Sequence, residues 1–340
     1  MLRLAIVGCG KASRRHHQLL TTGKMRGAEL VAVCDVDEMK ARELGDKHGI
    51  PAFTDMHEMM RSQSIDVVMI LTPTGLHAEH VKELAPYGKH IIVEKPIALR
   101  LQDADEIIDA SKKNHIRLFV VKQNRFNHPI ICLHKAIKRG DLGKITLASA
   151  KVLWSRTQEY YDQASWRGTW RYDGGVIANQ ASHHIDVLAW LVGDIDTVSA
   201  QGATIGSDIE VEDMASVIYK FKNGAMGTLE ATTSVRPHDI GSSITIIGSK
   251  GYAIIGGKAM DKVVDWTLED DTDILMDPHK EFLEHVTDEI SLGNPNTDDG
   301  DEDRKTLSVI QAIYASMENG VEIKVGERIS HSRLGGGDHP

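Results

Sequence analysis

Between residues 1 and 122, strand-like and helix-like segments alternate without a break, and this constrains the fold more than any other feature of the chain. Short runs at Leu4–Val7, Glu29–Cys34, Ile65–Leu71, His90–Val93 and Leu118–Val121 read as strands. Helical patterns at Arg14–Thr21, Glu38–His48, His77–Tyr87 and Leu101–Asn114 separate them. A helix between every two strands implies parallel pairing, right-handed crossovers and helices on both faces. The first part of the chain is therefore expected to be an α/β, doubly wound parallel sheet.

The pattern changes after residue 122. A helix at Pro129–Arg139 is followed by long alternating segments at Lys144–Trp154, Thr197–Thr204, Met214–Phe221, Ala225–Ser234, Ser242–Ile247 and Tyr252–Ile255. Turn signals such as Lys222-Asn223-Gly224 punctuate them. These predict an open, mostly antiparallel sheet, covered on one face by helices that include Gly175–Leu191. Helices are also expected at Pro278–Ser291 and Arg304–Asn319, with a solvated acidic loop at Asn296–Asp303 and a frayed tail at Gly335–Pro340. At 340 residues two domains are expected, 1–122 and an α+β domain at 123–340.

Composition excludes several function classes. A net charge of -10 argues against a general nucleic-acid binder, although a pocket can still be locally positive. Cys9, Cys34 and Cys132 are widely spaced, which gives neither a disulfide framework nor a metal site and favours a reducing compartment. The N-terminal run into Gly8 reads as a strand, not a signal segment. No apolar run approaches the ~18–20 residues that span a bilayer, so a cytoplasmic protein with no membrane partner is expected.

Gly8-Cys9-Gly10-Lys11-Ala12-Ser13 lies between the first strand and the first helix. Gly8 permits the sharp turn, Gly10 lets a pyrophosphate approach the backbone, and the helix N-terminus offers oriented N–H groups. Ser13 stands where a third glycine is usual; a small side chain still permits close helix–strand packing. The second strand ends in Asp35, about 25 residues past Gly10, where an acid would bind the adenosine ribose hydroxyls. An acid there repels a 2′-phosphate, so NAD is favoured over NADP. The third strand ends in Thr72-Pro73-Thr74, at the carboxyl edge where such sheets bind ligands. His77 either touches the cofactor or caps its own helix.

Two further clusters suggest chemistry. Glu94-Lys95-Pro96 closes the apolar strand His90–Val93, and a lysine beside a packed sheet is costly unless its charge is used. Asn179-Gln180-Ala181-Ser182-His183-His184-Ile185-Asp186 interrupts an otherwise apolar helical pattern. Asp186 lies three residues beyond His183, where it either orients that ring or pairs elsewhere. The segment Trp154–Trp170 concentrates Trp154, Arg156, Tyr160, Tyr161, Trp166, Arg167 and Trp170 in a chain with only 5% aromatics. It is either a buried seam or a surface for an anionic sugar, since arginine grips carboxylate or phosphate and flat rings pack on sugars and bases.

With these motifs in this order, the chain resembles the Gfo/Idh/MocA family of sugar and polyol oxidoreductases over nearly its whole length, including Ala312-Ile313-Tyr314-Ala315-Ser316. The resemblance implies a Rossmann domain plus an α+β substrate domain whose open sheet often forms the oligomer interface, here a homotetramer or homodimer. It implies NAD as cofactor, with Glu94, Lys95, Gln123, Trp166 and Arg167 also at the cofactor. It further implies a catalytic lysine and histidine, matched by Lys95 and His183. Family members usually carry an aspartate four residues before that histidine; Asn179 stands there instead. An asparagine cannot hold a negative charge against the imidazole, but its amide can orient a substrate.

Alcohol oxidation needs a base with a pKa near working pH, which suits His183, while Lys95 would hydrogen-bond the same oxygen; the two roles could be exchanged. A narrower resemblance, carried by Gln123–Asn127, Trp154–Tyr161, Trp166–Trp170, Asn179–His184 and Arg236-Pro237, is to dehydrogenases of UDP-N-acetyl-2-amino-2-deoxyglucuronate (UDP-GlcNAcA) in bacterial surface-polysaccharide synthesis. It implies a UDP-sugar oxidised at C3, with Lys95, Arg156, Tyr160, Tyr161, Asn179, His183 and Arg236 at the substrate, and 2-oxoglutarate as a candidate hydride acceptor. A dehydrogenase of a free sugar or polyol such as inositol, and a non-catalytic nicotinamide-binding regulator, stand as alternatives.

Overall fold

Apolar strands and amphipathic helices alternate through the first part of the fold: β1 (Leu2–Val7), α1 (Ser13–Thr21), β2 (Ala28–Cys34), α2 (Glu38–His48), β3 (Ala52–Phe53), α3 (Met56–Ser62), β4 (Val67–Ile70), α4 (His77–Leu84), β5 (His90–Val93), α5 (Leu101–Lys113) and β6 (Leu118–Val120). The chain continues through α6 (His128–Arg139), β7 (Ile145–Leu153), α7 (Gln158–Asp162), a π-helical turn (Val176–Ala181) and α8 (Ser182–Val192). Then follow β8 (Ile195–Ala203), β9 (Met214–Phe221), β10 (Met226–Thr232), β11 (Gly241–Gly248), β12 (Tyr252–Gly256), β13 (Lys262–Trp266), α9 (Pro278–Leu292), α10 (Asp301–Asn319) and β14 (Ile323–Lys324). This computed structural model describes residues 1–23, 25–269, 276–293, 300–327 and 332–336.

Two compact units result. The first comprises residues 1–98, 102–123 and 277–304; the second comprises 99–101, 124–276 and 305–340. The first unit holds a parallel sheet in the order β3-β2-β1-β4-β5-β6. Every residue of β4 is buried, as a strand covered by helices on both faces requires. α2 starts at Asp37, whose side chain accepts the N–H groups of Met39 and Lys40, and stops at Gly49 in the left-handed conformation. The strand order reverses between β1 and β4, which is where this architecture places a ligand crevice.

A division at residues 122/123 leaves α9 with the second domain, yet this helix returns to the first unit. Asp277 pairs with Arg15, His279 meets the ring of His16 edge-on at 5.7 Å, and Glu284 accepts from Arg26 at 3.4 Å. Phe282, Leu283 and Val286 are its buried face. Contacts between residues more than 250 positions apart leave no local signal in the sequence.

The second unit holds a sheet in the order β13-β12-β11-β7-β10-β9-β8-β14, antiparallel except for the parallel pair β7–β10. β9 alternates buried and exposed, so one face packs on helices and the other is open. On the open face Met226, Leu147 and Ile247 are register neighbours and all exposed.

Two expected helices differ in detail. His77–Tyr87 divides into α4 and a 3₁₀ turn at Ala85–Tyr87, which contains Pro86. Gly175–Leu191 opens as a π turn before becoming α-helical. Asp301, Glu302 and Asp303 form the first turn of α10 rather than a loop. They favour the positive end of the helix dipole, and Asp303 also holds Lys122 at 2.9 Å. Residues 296–299 of the expected acidic loop and 337–340 of the expected tail lie outside the described residues.

Candidate active-site elements

Four strand ends stand in register in the first unit. Val7 is opposite both Cys34 and Ile70, and Ile70 is opposite Val93. Gly8, Asp35, Leu71 and Glu94 therefore leave the sheet side by side, followed by Thr72-Pro73-Thr74 and Lys95. Gly8 has φ +101°, and a Cβ placed there would lie 2.8 Å from the carbonyl of Leu71; both features demand glycine. A Cβ on Gly10 would meet nothing within 4 Å, so the fold itself does not require glycine there. The open space above Gly10 is what a pyrophosphate needs, and the turn fits a dinucleotide.

Ser13 is buried and its hydroxyl donates to Gly10 O at 2.8 Å, tying the turn to α1, while Lys11 and Ala12 are exposed at its tip. The Asp35 carboxylate accepts the N–H of Cys9 at 2.8 Å and of Asp37 at 2.9 Å, one on each oxygen. Each oxygen keeps a lone pair that a ribose hydroxyl can use.

His77 takes a different part from either expectation. It is fully buried, and its ring nitrogens face Pro96 O at 2.9 Å and Thr72 O at 3.0 Å. Burial pushes its pKa down to about 4, against the pull of those two carbonyls. It braces the Thr72 turn against the Lys95–Pro96 turn and offers no nitrogen to a ligand. Glu94 is likewise engaged: one oxygen faces His16 Nε2 at 3.3 Å and the other accepts Lys95 N–H at 3.0 Å. Burial would raise the Glu94 pKa, but the His16 hydrogen bond and the charges of His16 and Lys95 outweigh it and bring it to about 2. Glu94 thus fixes the backbone at Lys95, which is half-buried and joined to Pro96 by a cis peptide. Gln123, also half-buried, lies in the 3₁₀ turn after β6.

In the second unit, Asn179 lies in the π turn and His183 in the first turn of α8, both half-buried. π turns inside helices recur at functional sites because they re-aim side chains. The Asn179 amide donates to Asp173, a buried carboxylate that also accepts Gly168 N–H at 2.7 Å. Asp173 thereby joins the His183 segment to the Trp166-Arg167 loop. Asp186 does not serve His183: Arg125 and Thr306 occupy its carboxylate.

The Trp154–Trp170 segment is partly seam and partly surface. Arg156 lies 3.4 Å from Asp239 and over the rings of Trp154 and Tyr160. Arg236 is exposed and donates to the carbonyls of Thr233, Val235 and Arg156, which ties it to the Arg156 corner. Tyr161 is buried with its hydroxyl 3.0 Å from Thr233 Oγ1, and burial pushes its pKa up to about 12. Arg167 stands apart. Its guanidinium stacks on Tyr160 at 4.3 Å and Trp166 at 4.8 Å, and its buried Nε has no hydrogen-bond partner among the described residues. It borders an open cleft of about 360 Å³ that carries three carboxylates, Asp162, Asp208 and Glu210, beside Gln158 and Tyr161.

Sequence reasoning missed three groups that hold these elements: His16 behind Glu94, Asp173 beside Asn179, and Glu212 beneath the π turn. Glu212 lies in the acidic run Glu210-Val211-Glu212-Asp213, which reads as surface. Its sole sequence signal is its place immediately before the alternating strand β9. Among the described residues no group of three or more His, Cys, Asp or Glu could hold a metal ion.

Residues 2–122 match the oxidoreductase family with an NAD-binding Rossmann fold, and residues 131–254 match the GFO/IDH/MocA C-terminal domain. Among solved structures, the WlbA dehydrogenase of Bordetella pertussis, in complex with NADH and UDP-GlcNAcA, is 34% identical with a TM-score of 0.90, covering 96% of this chain and 98% of that one. The WlbA dehydrogenase of Chromobacterium violaceum, also in complex with NADH and UDP-GlcNAcA, is 35% identical with a TM-score of 0.89, covering 96% and 97%. Among curated proteins, the myo-inositol 2-dehydrogenase of Thermotoga maritima is 26% identical over 351 residues, 96% of this chain and 100% of that protein.

Proposed function

The chain belongs to the Gfo/Idh/MocA family and is an NAD-dependent dehydrogenase of sugars or polyols; from that premise we propose that its substrate is UDP-GlcNAcA, oxidised at C3 to the 3-keto sugar. NAD, which the Gly8–Ser13 turn and Asp35 would hold, would supply the acceptor for the C3 hydride. In this reading His183 would take the proton of the C3 hydroxyl. Lys95 donates a hydrogen bond to the same oxygen while negative charge builds on it. Asn179, held by Asp173, orients the sugar through its remaining amide atoms.

The observation that carries the nucleotide-sugar reading is the likeness, at 34–35% identity over 96% of the chain, to two dehydrogenases in complex with NADH and UDP-GlcNAcA, against 26% to the myo-inositol 2-dehydrogenase. Arg167, with a buried Nε that has no hydrogen-bond partner among the described residues, is a cation available to an anionic ligand, whether the cofactor diphosphate or a sugar nucleotide. The exposed row Met226, Leu147 and Ile247 supports a homodimer or homotetramer through the open sheet face. Among the described residues no helix is long and apolar enough to cross a membrane. A nucleotide-sugar substrate and NAD suit a cytoplasmic enzyme serving surface-polysaccharide (O-antigen) synthesis.

The test is turnover. Purified enzyme with NAD and UDP-GlcNAcA is expected to yield a sugar nucleotide lighter by two hydrogens and carrying a carbonyl at C3. Turnover of myo-inositol with none of the nucleotide sugar would reject this substrate. Purified protein that carries NADH absorbance, discharged by 2-oxoglutarate, would support recycling of the cofactor in place; free release of NADH at each turnover would count against it.

A further inference from the structure

Helix starts leave backbone N–H groups without intrahelical partners, and a buried start must find them elsewhere. The segment carrying Asn179 and His183 starts buried, at Gly175, and its N-cap residue gives no side-chain cap. Three successive N–H groups are satisfied from outside. Gly175 N–H donates to Tyr314 Oη at 3.0 Å, Val176 N–H to the Glu212 carbonyl at 3.0 Å, and Ile177 N–H to Glu212 Oε1 at 3.0 Å. Tyr314 in turn donates its hydroxyl proton to Glu212 Oε1 at 2.8 Å, closing the network. A Cβ at 175 would collide with the Glu212 carboxyl group, so a side chain there would push that group off the helix start. Tyr314 is fully buried in α10 and lies edge-on to Trp170 at 5.8 Å.

We propose that Glu212 and Tyr314 are positioning residues: by capping the π turn from outside they set the rotation of the helix start and so the aim of Asn179 and His183. This rests on the proposed catalytic role of His183. The carboxyl group of Glu212 fixes where the first turn begins, and the π turn then delivers His183 at an angle that a continuous α-helix from the same start would not give. The hydroxyl of Tyr314 keeps Glu212 Oε1 and Gly175 in line. Neither residue touches substrate or cofactor in this scheme.

The experiment compares Tyr314→Phe, Glu212→Gln and Glu212→Leu with wild type in the NAD-bound full chain. The first readout is the imidazole resonance of His183 in histidine-labelled protein, assigned through His183→Asn; it needs no substrate. The second is the split between kcat for UDP-GlcNAcA and the Kd for NADH. Tyr314→Phe and Glu212→Leu are expected to shift the His183 resonance and to lower kcat by ~10-fold, with the Kd for NADH within about 2-fold. Glu212→Gln keeps an acceptor for Ile177 and Tyr314 and is expected to retain the wild-type signal. A lower melting temperature in Tyr314→Phe with an unmoved His183 resonance would overturn the proposal and leave these residues a role in stability alone. Should Glu212→Leu fail to fold, the pair Tyr314→Phe and Glu212→Gln decides. Wild type inactive on UDP-GlcNAcA would sink the substrate reading, while the His183 resonance would still decide the positioning role.

Discussion

Arg125 holds Asp186 with two hydrogen bonds, Nε to Oδ2 at 2.8 Å and Nη2 to Oδ1 at 2.6 Å. Both side chains are nearly buried, and the Arg125 guanidinium also lies over Trp190 at 5.3 Å. This pair anchors the face of α8 next to His183 and engages, on both oxygens, a carboxylate that helical spacing alone would assign to the histidine. Removing one partner of a buried pair leaves the other uncompensated, so Asp186→Ala is expected to lose on the order of 3 kcal/mol in urea denaturation. The folded fraction should keep kcat within about 3-fold of wild type. A kcat that collapses while the urea midpoint holds would mean that Asp186 serves the histidine after all.

The two glycines of the first turn separate fold from cofactor. At Gly8 the positive φ and the approach of Leu71 act on the fold itself. Gly8→Ala is expected to lower stability by about 2 kcal/mol and to weaken NADH binding with it. At Gly10 a methyl group meets no protein atom within 4 Å, so Gly10→Ala should leave the melting temperature unchanged. It should nevertheless raise the Kd for NADH by ~10-fold or more, because the methyl group occupies the path of the pyrophosphate. Calorimetry and NADH fluorescence titration on the two variants check both halves; NADH affinity unchanged in Gly10→Ala would move the phosphate away from this turn.

These contrasts show what the sequence could and could not convey. The parallel sheet was legible because its determinants are local: an apolar strand, a short turn and an amphipathic helix recur within each unit of about 30 residues. The strand-end residues Gly8, Asp35 and Lys95 were legible for the same reason. β3 and β14, of two residues each, are too short to carry a period, and β13 has a single half-buried alternation. The π turn was hidden because periodicity does not resolve one inserted residue in a helical pattern such as that of Val176–Ala181. Glu212, His16 and Asp173 escaped notice because their roles come from partners far away in the chain or from a loop fold. A carboxylate reads as surface until its neighbours are known.

Glu212 also makes stability depend on pH in an unusual direction. Burial raises its pKa from 4.5 to about 7; the Ile177 N–H and the Tyr314 hydroxyl pull it down, and Asp173 pushes it up again. The titratable groups facing it are thus Asp173, a carboxylate, and Tyr314, a phenol that burial keeps neutral by holding its pKa well above the ordinary value. A folded pKa above the unfolded one means that the stability contribution is complete below pH 4.5 and is lost as pH rises through about 7. The loss is on the order of 3 kcal/mol. Glu212→Gln cannot ionise, so its stability relative to wild type should improve as pH climbs across that window. Denaturant midpoints for both proteins, taken from acid to mildly alkaline pH, measure this; a difference that stays flat with pH would show that Glu212 remains ionised throughout.

Lys95 carries the sharpest prediction for the chemistry. Its backbone is fixed on one side by Glu94, which accepts its N–H, and on the other by Pro96, whose carbonyl meets His77. Lys95→Met keeps the length of the side chain and removes the charge, so the turn and the neighbouring cofactor loop should survive. If Lys95 stabilises the developing alkoxide, kcat should fall by ~10²–10³-fold while NADH still binds within a few-fold of the wild-type Kd. If His183 is the proton acceptor, His183→Asn should lose ~10²–10⁴-fold. If the two act on one oxygen as a unit, their effects are non-additive and the double variant should be little worse than the poorer single one. Rapid-mixing measurements of NADH formation on the three proteins separate the cases: losses that multiply would mean that the two residues act on different steps, and hydride transfer undiminished in Lys95→Met would remove the lysine from the mechanism.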